Sequence, residues 1–284
     1  KSKHASLVRG EGIRTNTYWD AIMVQGDTFS TLAGAMVGFF YKIPVIHIEA
    51  GLRTYTSNPW PEEQNRIIVD SLSSFCFCPT ERAYANVYRG DVQAGNETFT
   101  VGNTIIDQIK IEEKKRLPEV NWNKSDKPYF LCSFHRRESW NQFGRIASHF
   151  AELTCLMEDY DFIIPQHPNC KFNEAISSHA FTNNVLPQDA QDHASCLSLI
   201  KNSAGVITDS GGMIEEAAYF KKPCFIVRDE TERQESVEVG LAKLVGRDKG
   251  ILDIAGYMNN LKEWFRPEAP CPYGDGTASK KILD

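Results

Sequence analysis

The chain has 284 residues, 42% hydrophobic and 24% charged, with a formal charge of −6. That length favours two ordinary domains over one, and the acidic balance excludes a nucleic-acid surface, which needs clustered Lys and Arg. The longest weakly polar stretch, Thr31 to Tyr41, is too short and too rich in Gly and Ala to span a bilayer, and residues 1–20 hold no apolar signal core.

Residues 1–18 carry little periodicity. The first buried strand is Ala21 to Val24, ending in Gln25-Gly26-Asp27-Thr28. A small-residue helix, Thr31 to Tyr41, leads to a second strand, Pro44 to Ala50, and a helix from Pro61 to Ser73 leads to a third, Ser74 to Cys78. A fourth, Thr98 to Val101, ends at Gly102-Asn103-Thr104. Strand and helix alternate with polar residues at the strand ends, the pattern of a doubly wound parallel sheet that binds ligands at its carboxyl edge.

A helix over 103–116 closes at Leu117-Pro118, and Glu119 to Lys127 reads as a polar linker. A second series follows, with strands Tyr129–Phe134, Phe162–Pro165, Asn184–Leu186, Ala204–Ile207, Cys224–Val227 and Ala242–Val245. Helices fit at 142–158, 190–201, 213–221 and 250–264. The expected division is a first Rossmann-like domain over 1–118, a second over 119–266, and a tail over 267–284 that packs back on the first. The two carboxyl edges then face one cleft.

Ile207-Thr208-Asp209-Ser210-Gly211-Gly212 joins a buried strand to a helix read as starting at Met213. Such a turn offers unpaired N–H groups and the positive end of a helix dipole, and two glycines admit a bulky anion. Glu216, one turn on, suits the two adjacent hydroxyls of a ribose. Ser210 as a plain N-cap is the alternative.

Three carboxylates end at strand or loop tips of the first domain: Asp27, Glu49 and Glu62. Carboxylates sharing a dry cleft push their pKa values apart, so that one serves as acid and another as base. Asp27 also suits a helix N-cap and Glu62 a first-turn partner of the dipole after Pro61. Glu49, between an apolar strand and a glycine, has no evident structural use. In the second domain His135, Arg136 and Arg137 follow a strand and point toward a pyrophosphate or form a solvated basic turn. Arg233 reaches the same anion or pairs with Glu232 or Asp229. His167 sits at the edge of the next strand as ligand contact or structural group. Gln191 reads a base edge or caps a helix.

Cys76, Cys78, Cys132, Cys155, Cys170, Cys196, Cys224 and Cys271 are scattered, with no Cys-x-x-Cys pair, and read as reduced core residues of a cytoplasmic protein. Neither Gly-x-x-x-x-Gly-Lys-Ser/Thr nor Gly-x-Gly-x-x-Gly occurs, which removes the usual support for ATPase and dehydrogenase readings. His-Glu-x-x-His and Gly-x-Ser-x-Gly are absent too.

Eight motifs in a fixed order carry a resemblance. They are Gly26-Asp27-Thr28; His47-Ile48-Glu49-Ala50-Gly51-Leu52-Arg53-Thr54; Pro59-Trp60-Pro61-Glu62-Glu63-x-Asn65-Arg66; Gly102-Asn103-Thr104-x-x-Asp107; His135-Arg136-Arg137-Glu138; Thr208-Asp209-Ser210-Gly211-Gly212 with Glu215-Glu216; Arg228-Asp229-x-Thr231-Glu232-Arg233; and Pro272-Tyr273-Gly274-Asp275-Gly276. From Val24 onward the chain resembles the non-hydrolysing UDP-N-acetylglucosamine 2-epimerases. The resemblance implies a GT-B-like α/β fold of two doubly wound parallel-sheet domains facing a cleft, and no metal or redox cofactor. It implies a UDP-sugar and UDP as partners, and a homodimer without nucleic acid or membrane. It places Asp27, Glu49 and Glu62 at the acid/base positions, their individual roles unassigned, and His135 among the reacting or UDP-binding groups. Gln191, Ser210, Gly211, Gly212, Glu216 and Arg233 fall at the family's UDP-binding positions, and Arg136, in the basic turn after the strand, is read as a substrate-binding cation.

Family members open with a strand and a Gly-Thr-Arg-Pro-Glu loop that this sequence lacks, which implies an incomplete first domain and weak or absent activity for the chain alone. Two further departures, a shorter turn at His167-Pro168-Asn169 and a Pro-Glu-Glu segment one residue closer to Glu49, bear on the allosteric behaviour of bacterial members. Rival readings are a GT-B glycosyltransferase, a hydrolysing epimerase and a UDP-sugar-binding module without turnover.

Overall fold

Two parallel sheets carry the structure, a computed structural model that describes residues 19–89, 96–120, 125–166, 174–176, 179 and 181–284. The expectations for residues 1–18, for His167-Pro168-Asn169 and for Cys170 lie outside the described residues. The first sheet runs β1 (Ile22–Gln25), α1 (Phe29–Tyr41), β2 (Val45–Ile48), α2 (Glu62–Leu72), β3 (Phe75–Cys78), α3 (Glu81–Arg89) and β4 (Glu97–Thr100). Its strands lie in the order β1-β2-β3-β4, all parallel. Helix α3 was not expected; its buried Ala83 and Val87 stand four residues apart and seat it on the sheet.

After α4 (Thr104–Lys114), the second sheet is built from β5 (Tyr129–Ser133), α5 (Phe143–Leu156), β6 (Asp161–Pro165), β7 (Val185–Gln188), α6 (His193–Asn202), β8 (Gly205–Thr208), α7 (Gly211–Tyr219), β9 (Cys224–Ile226), α8 (Gln234–Glu238) and β10 (Ala242–Leu244). Three short helices follow: α9 (Asp253–Asn259), α10 (Leu261–Trp264) and α11 (Ala278–Leu283). The single helix expected over 250–264 is broken at Asn260, which leaves helical geometry (φ −109°, ψ 31°).

The strand order β10-β9-β8-β5-β6-β7 makes the winding reverse between β5 and β8. In open α/β sheets the crevice at that reversal is where ligands bind. Successive residues of each central strand alternate between two cores, as a sheet covered on both faces requires. Phe130, Cys132, Ile207 and Phe225 join Phe150, Phe162 and Ile254 on one face, while Leu131, Val206, Cys224 and Ile226 join Leu199, Ile200, Ile214 and Ala217 on the other.

The first sheet has smaller cores, Val24, Ala35, Val45 and Val69 on one side and Ala50, Cys76, Cys78, Ala83 and Val87 on the other. Cys76, Cys78, Cys132 and Cys224 are buried free thiols as expected, whereas Cys155 is exposed on the outer side of α5. Helix α4 connects the sheets: Ile106 and Ile109 pack with Leu197, Ala218, Leu241 and the wholly buried Tyr273. The tail turn docks there too, with Asn103 N donating to Tyr273 O at 2.8 Å and Asp107 accepting from Ala278 N and Ser279 N at 3.1 and 2.9 Å.

One close approach shapes the site. Gly51 has φ +83°, and a Cβ there would stand 2.1 Å from the Ala83 carbonyl oxygen at the start of α3. Gly51→Ala is therefore expected to lose about 3 kcal/mol through left-handed strain and overpacking, read as a lower urea midpoint. A loss below about 1 kcal/mol would contradict this packing.

Candidate functional site

The loops after β5 and β8 meet at the reversal, and Asp209 ties them together. Its buried carboxylate accepts from His135 N at 3.1 Å to each oxygen and from Arg136 N at 3.0 Å. Burial pushes the Asp209 carboxyl up, partly offset by His135 and by the two backbone N–H groups. His135 keeps about a third of its side chain exposed, with Nδ1 3.4 Å from Ser133 Oγ.

Helix α7 begins at Gly211, two residues before the expected Met213, so both glycines lie in its first turn. Ser210 is the N-cap, yet its side chain makes no cap bond, and its N–H donates to Thr208 Oγ1 at 3.0 Å. The first-turn N–H groups of Gly211, Gly212 and Met213 have no acceptor within the helix. A Cβ on Gly211 would meet Arg233 Cζ and Glu232 Oε1 at 3.1 Å, whereas one on Gly212 would meet nothing within 4 Å. Gly211 thus admits the arginine, and Gly212 leaves room for an anion against the backbone.

Arg233 is buried at the centre. Its Nε donates to Glu215 Oε1 at 2.9 Å, Nη1 to Glu232 Oε1 at 2.7 Å and Nη2 to Glu49 Oε1 at 2.6 Å. The last bond crosses from the second sheet to the first. Asp229 takes no part, pairing with Arg247 instead. Burial alone would raise the Glu232 carboxyl, but Arg228, Arg233, Arg136 and Arg66 outweigh it and hold the group well below the usual range. Arg228 Nη1 donates to Glu232 Oε2 at 2.8 Å and Arg136 Nη2 stands 3.4 Å from its Oε1.

Three carboxylates share one guanidinium, and Glu232 has other cations while Glu49 keeps some solvent. Glu215, wholly desolvated, is pushed up to about 8 by burial, against the pull of Arg233 and with Glu49 and Glu216 adding to the rise. Between its ordinary value of 4.5 and about 8 the folded chain holds a proton on Glu215 that the unfolded chain has released. That contribution to stability is complete at low pH and is lost as pH rises across the window. Relative to Glu215→Gln, the wild-type urea midpoint is therefore expected to fall from about pH 5 to pH 8. A constant difference across that range would remove the proton from Glu215.

On the first sheet, Glu49 follows β2 with φ +67°, a region costly for any side chain. Strained non-glycine residues cluster at functional sites. Glu49 Oε2 lies over the preceding turn, 3.9 Å from where a Cβ on Gly26 would stand. Asp27 is not a helix cap: Thr28 is the N-cap of α1, and the Asp27 carboxylate pairs with the buried Arg66. Arg66 also donates to Glu63 Oε2 at 3.2 Å, and Glu63 accepts from Thr54 N and Tyr55 N. The buried member of the Glu62-Glu63 pair is thus Glu63; Glu62, half-buried at the start of α2, makes no side-chain hydrogen bond among the described residues. Both carboxylate-bearing turns hang on Asp70, which pairs with His47 Nδ1 and Arg53 Nη2, each at 2.6 Å, and accepts from Gly51 N at 3.2 Å. His47 Nε2 in turn reaches Gly26 O at 2.8 Å.

The geometry thus joins Glu49, Arg233, Gly211 and, through Arg136 and Asp209, His135; Asp27 adjoins them through Gly26. Glu216 is bonded to His193 Nε2 at 2.8 Å. Gln191 neither caps α6, whose N-cap is Asp192, nor reaches the others; its Nε2 donates to Asp189 O at 2.7 Å. Sequence reasoning gave no role to Asp209, Glu215, Asp70 or His193, and it named Glu232 only as an alternative partner of Arg233, a pairing the structure contains at 2.7 Å. Asp209 and Glu215 were visible as charges flanking Ser210-Gly211-Gly212, but only burial shows that they organise the site.

Among the described residues no helix is long and apolar enough to cross a membrane. The family model described as UDP-N-acetylglucosamine 2-epimerase matches residues 4–284. The UDP-N-acetylglucosamine 2-epimerase of Escherichia coli K12 is 36% identical over 282 residues, covering 93% of this chain and 74% of that protein. The crystal structure of the Neisseria meningitidis UDP-GlcNAc 2-epimerase bound to UDP-GlcNAc superposes with a TM-score of 0.84 at 34% identity, covering 93% of this chain and 75% of the other. The Methanocaldococcus jannaschii enzyme in complex with UDP-GlcNAc and UDP gives 0.80 at 36% identity, covering 93% and 74%. The order of the motifs, the loops brought together at the strand reversal and a match over nearly the whole sequence agree, and the chain belongs to the UDP-N-acetylglucosamine 2-epimerase family.

Proposed function

We propose that the chain reversibly converts UDP-N-acetylglucosamine to UDP-N-acetylmannosamine by elimination and re-addition of UDP. The reading rests on the Glu49–Arg233 bond of 2.6 Å, which sets an acid/base carboxylate against the cation beside the Ser210-Gly211-Gly212 turn. A base takes the C2 proton while the C1–O bond to UDP breaks, leaving 2-acetamidoglucal. UDP then returns to C1 as a proton is delivered to the other face of C2. Loss on one face and return on the other call for two acid/base groups, for which Asp27, Glu49 and Glu62 are the three candidates. The departing diphosphate meets Arg233, Arg136, His135 and the first-turn N–H groups of α7.

Incubation with UDP-N-acetylglucosamine in deuterated water tests this. Deuterium at C2 of both sugars, with UDP-linked product, is the expected result. Free N-acetylmannosamine would indicate a hydrolysing epimerase. Sugar transfer to an acceptor without C2 exchange would indicate a glycosyltransferase, and UDP binding with no product a binding module.

A further inference from the structure

Helix α7 has two faces at the cleft. Gly211 and Glu215, four residues apart, share the side occupied by Arg233, while Gly212 and Glu216 share the next, where the space over Gly212 is open. Four residues of helix, a rise of about 6 Å along its axis, separate the Gly212 backbone from that of Glu216. The Glu216 side chain is only 7% exposed, and its single side-chain hydrogen bond among the described residues is to His193 Nε2 at 2.8 Å. His193 opens α6 and is itself 40% exposed, so one edge of its ring rests on Glu216 while the rest meets solvent.

We infer that His193 is a positioning residue for nucleotide binding: it clamps Glu216 Oε1 so that Oε2 faces a vicinal diol of the ribose. This rests on the reading of the cleft as a nucleoside-diphosphate site and deepens it. A nearly buried carboxylate beside a diphosphate is unfavourable unless a donor compensates it. His193 supplies that donor from another helix, and the contact is favoured in turn: the hydrogen bond to Glu216 raises the His193 pKa against the opposing effect of burial, with Glu112 and Asp192 adding to the rise.

Calorimetry with UDP and with 2′,3′-dideoxy-UDP on the full chain tests the assignment. Phenylalanine fills the His193 site without a donor, so His193→Phe is expected to weaken UDP about tenfold or more, the worth of a hydrogen bond to a charged group. Binding of the dideoxy analogue, which has no diol for Glu216, should change by less than about twofold. His193→Gln, which restores an N–H donor, should recover most of the UDP affinity. Equal losses for both ligands, unchanged UDP affinity in His193→Phe, or failure of the glutamine to recover it would overturn the assignment. If the wild-type chain binds neither ligand, the nucleotide site itself is refuted and this role falls with it.

Discussion

Replacing Glu49 by glutamine is expected to lower C2 exchange and turnover by about two orders of magnitude or more, the range lost when a general acid or base is removed. UDP affinity should remain nearly unchanged. Glutamine keeps the size of the side chain and the same left-handed backbone, so the strain at φ +67° is common to both proteins and cancels from the comparison. Arg233 loses the charge at Nη2 but keeps Glu215 on Nε and Glu232 on Nη1, so the guanidinium stays in place to receive the diphosphate. The measurement is deuterium incorporation at C2 beside a UDP titration. Turnover comparable to wild type would remove Glu49 from the chemistry. A parallel collapse of UDP binding would instead make it a structural partner of Arg233.

The second large effect is expected at Arg233. Arg233→Met leaves Glu215, Glu232 and Glu49 without the guanidinium that joins them, and breaking a buried ionic cluster by removing one partner costs about 3–5 kcal/mol. UDP affinity should fall by about a hundredfold or more, because the same guanidinium is the buried cation packed against Gly211, beside the turn that seats the anion. Lysine is a poor substitute: one ammonium on a flexible stem cannot serve three carboxylates in three directions. Arg233→Lys is thus expected to recover less than half of the lost stability, read by urea unfolding. A methionine variant within about 1 kcal/mol of wild type would show that the cluster is held by other contacts.

Much of this architecture could be read from residue order. Ala204-Gly205-Val206-Ile207 reads as a buried strand because apolar runs of that length can only be satisfied between two layers, and the strand is there. The polar residues after the strands, Asp27, Glu49, His135 and Ser210, were identifiable because a charge or hydroxyl at the end of an apolar strand points to the carboxyl edge. The start of α7 was misplaced by two residues because glycine is a weak helix former. Only the tertiary setting, with Arg233 against Gly211, shows why glycine opens the helix. Helix α3 is outside the expected elements although Ala83 and Val87 have helical spacing, and Gln191, read as a base contact or a cap, stands one residue before the true cap, Asp192.

The sequence by itself determined two alternating strand–helix series, a strand-to-helix turn at Ser210-Gly211-Gly212 and carboxylates at the ends of strands in the first series. These are local properties, set by periodicity and by what a given residue does at a helix start or strand end. Tertiary structure alone decided the strand order β10-β9-β8-β5-β6-β7, which brings the loops after β5 and β8 together, and the pairing of Glu49 with Arg233, 184 residues apart. Partners of buried charges depend on which groups lose water together, and that is a property of packed surfaces, which no spacing along the chain encodes.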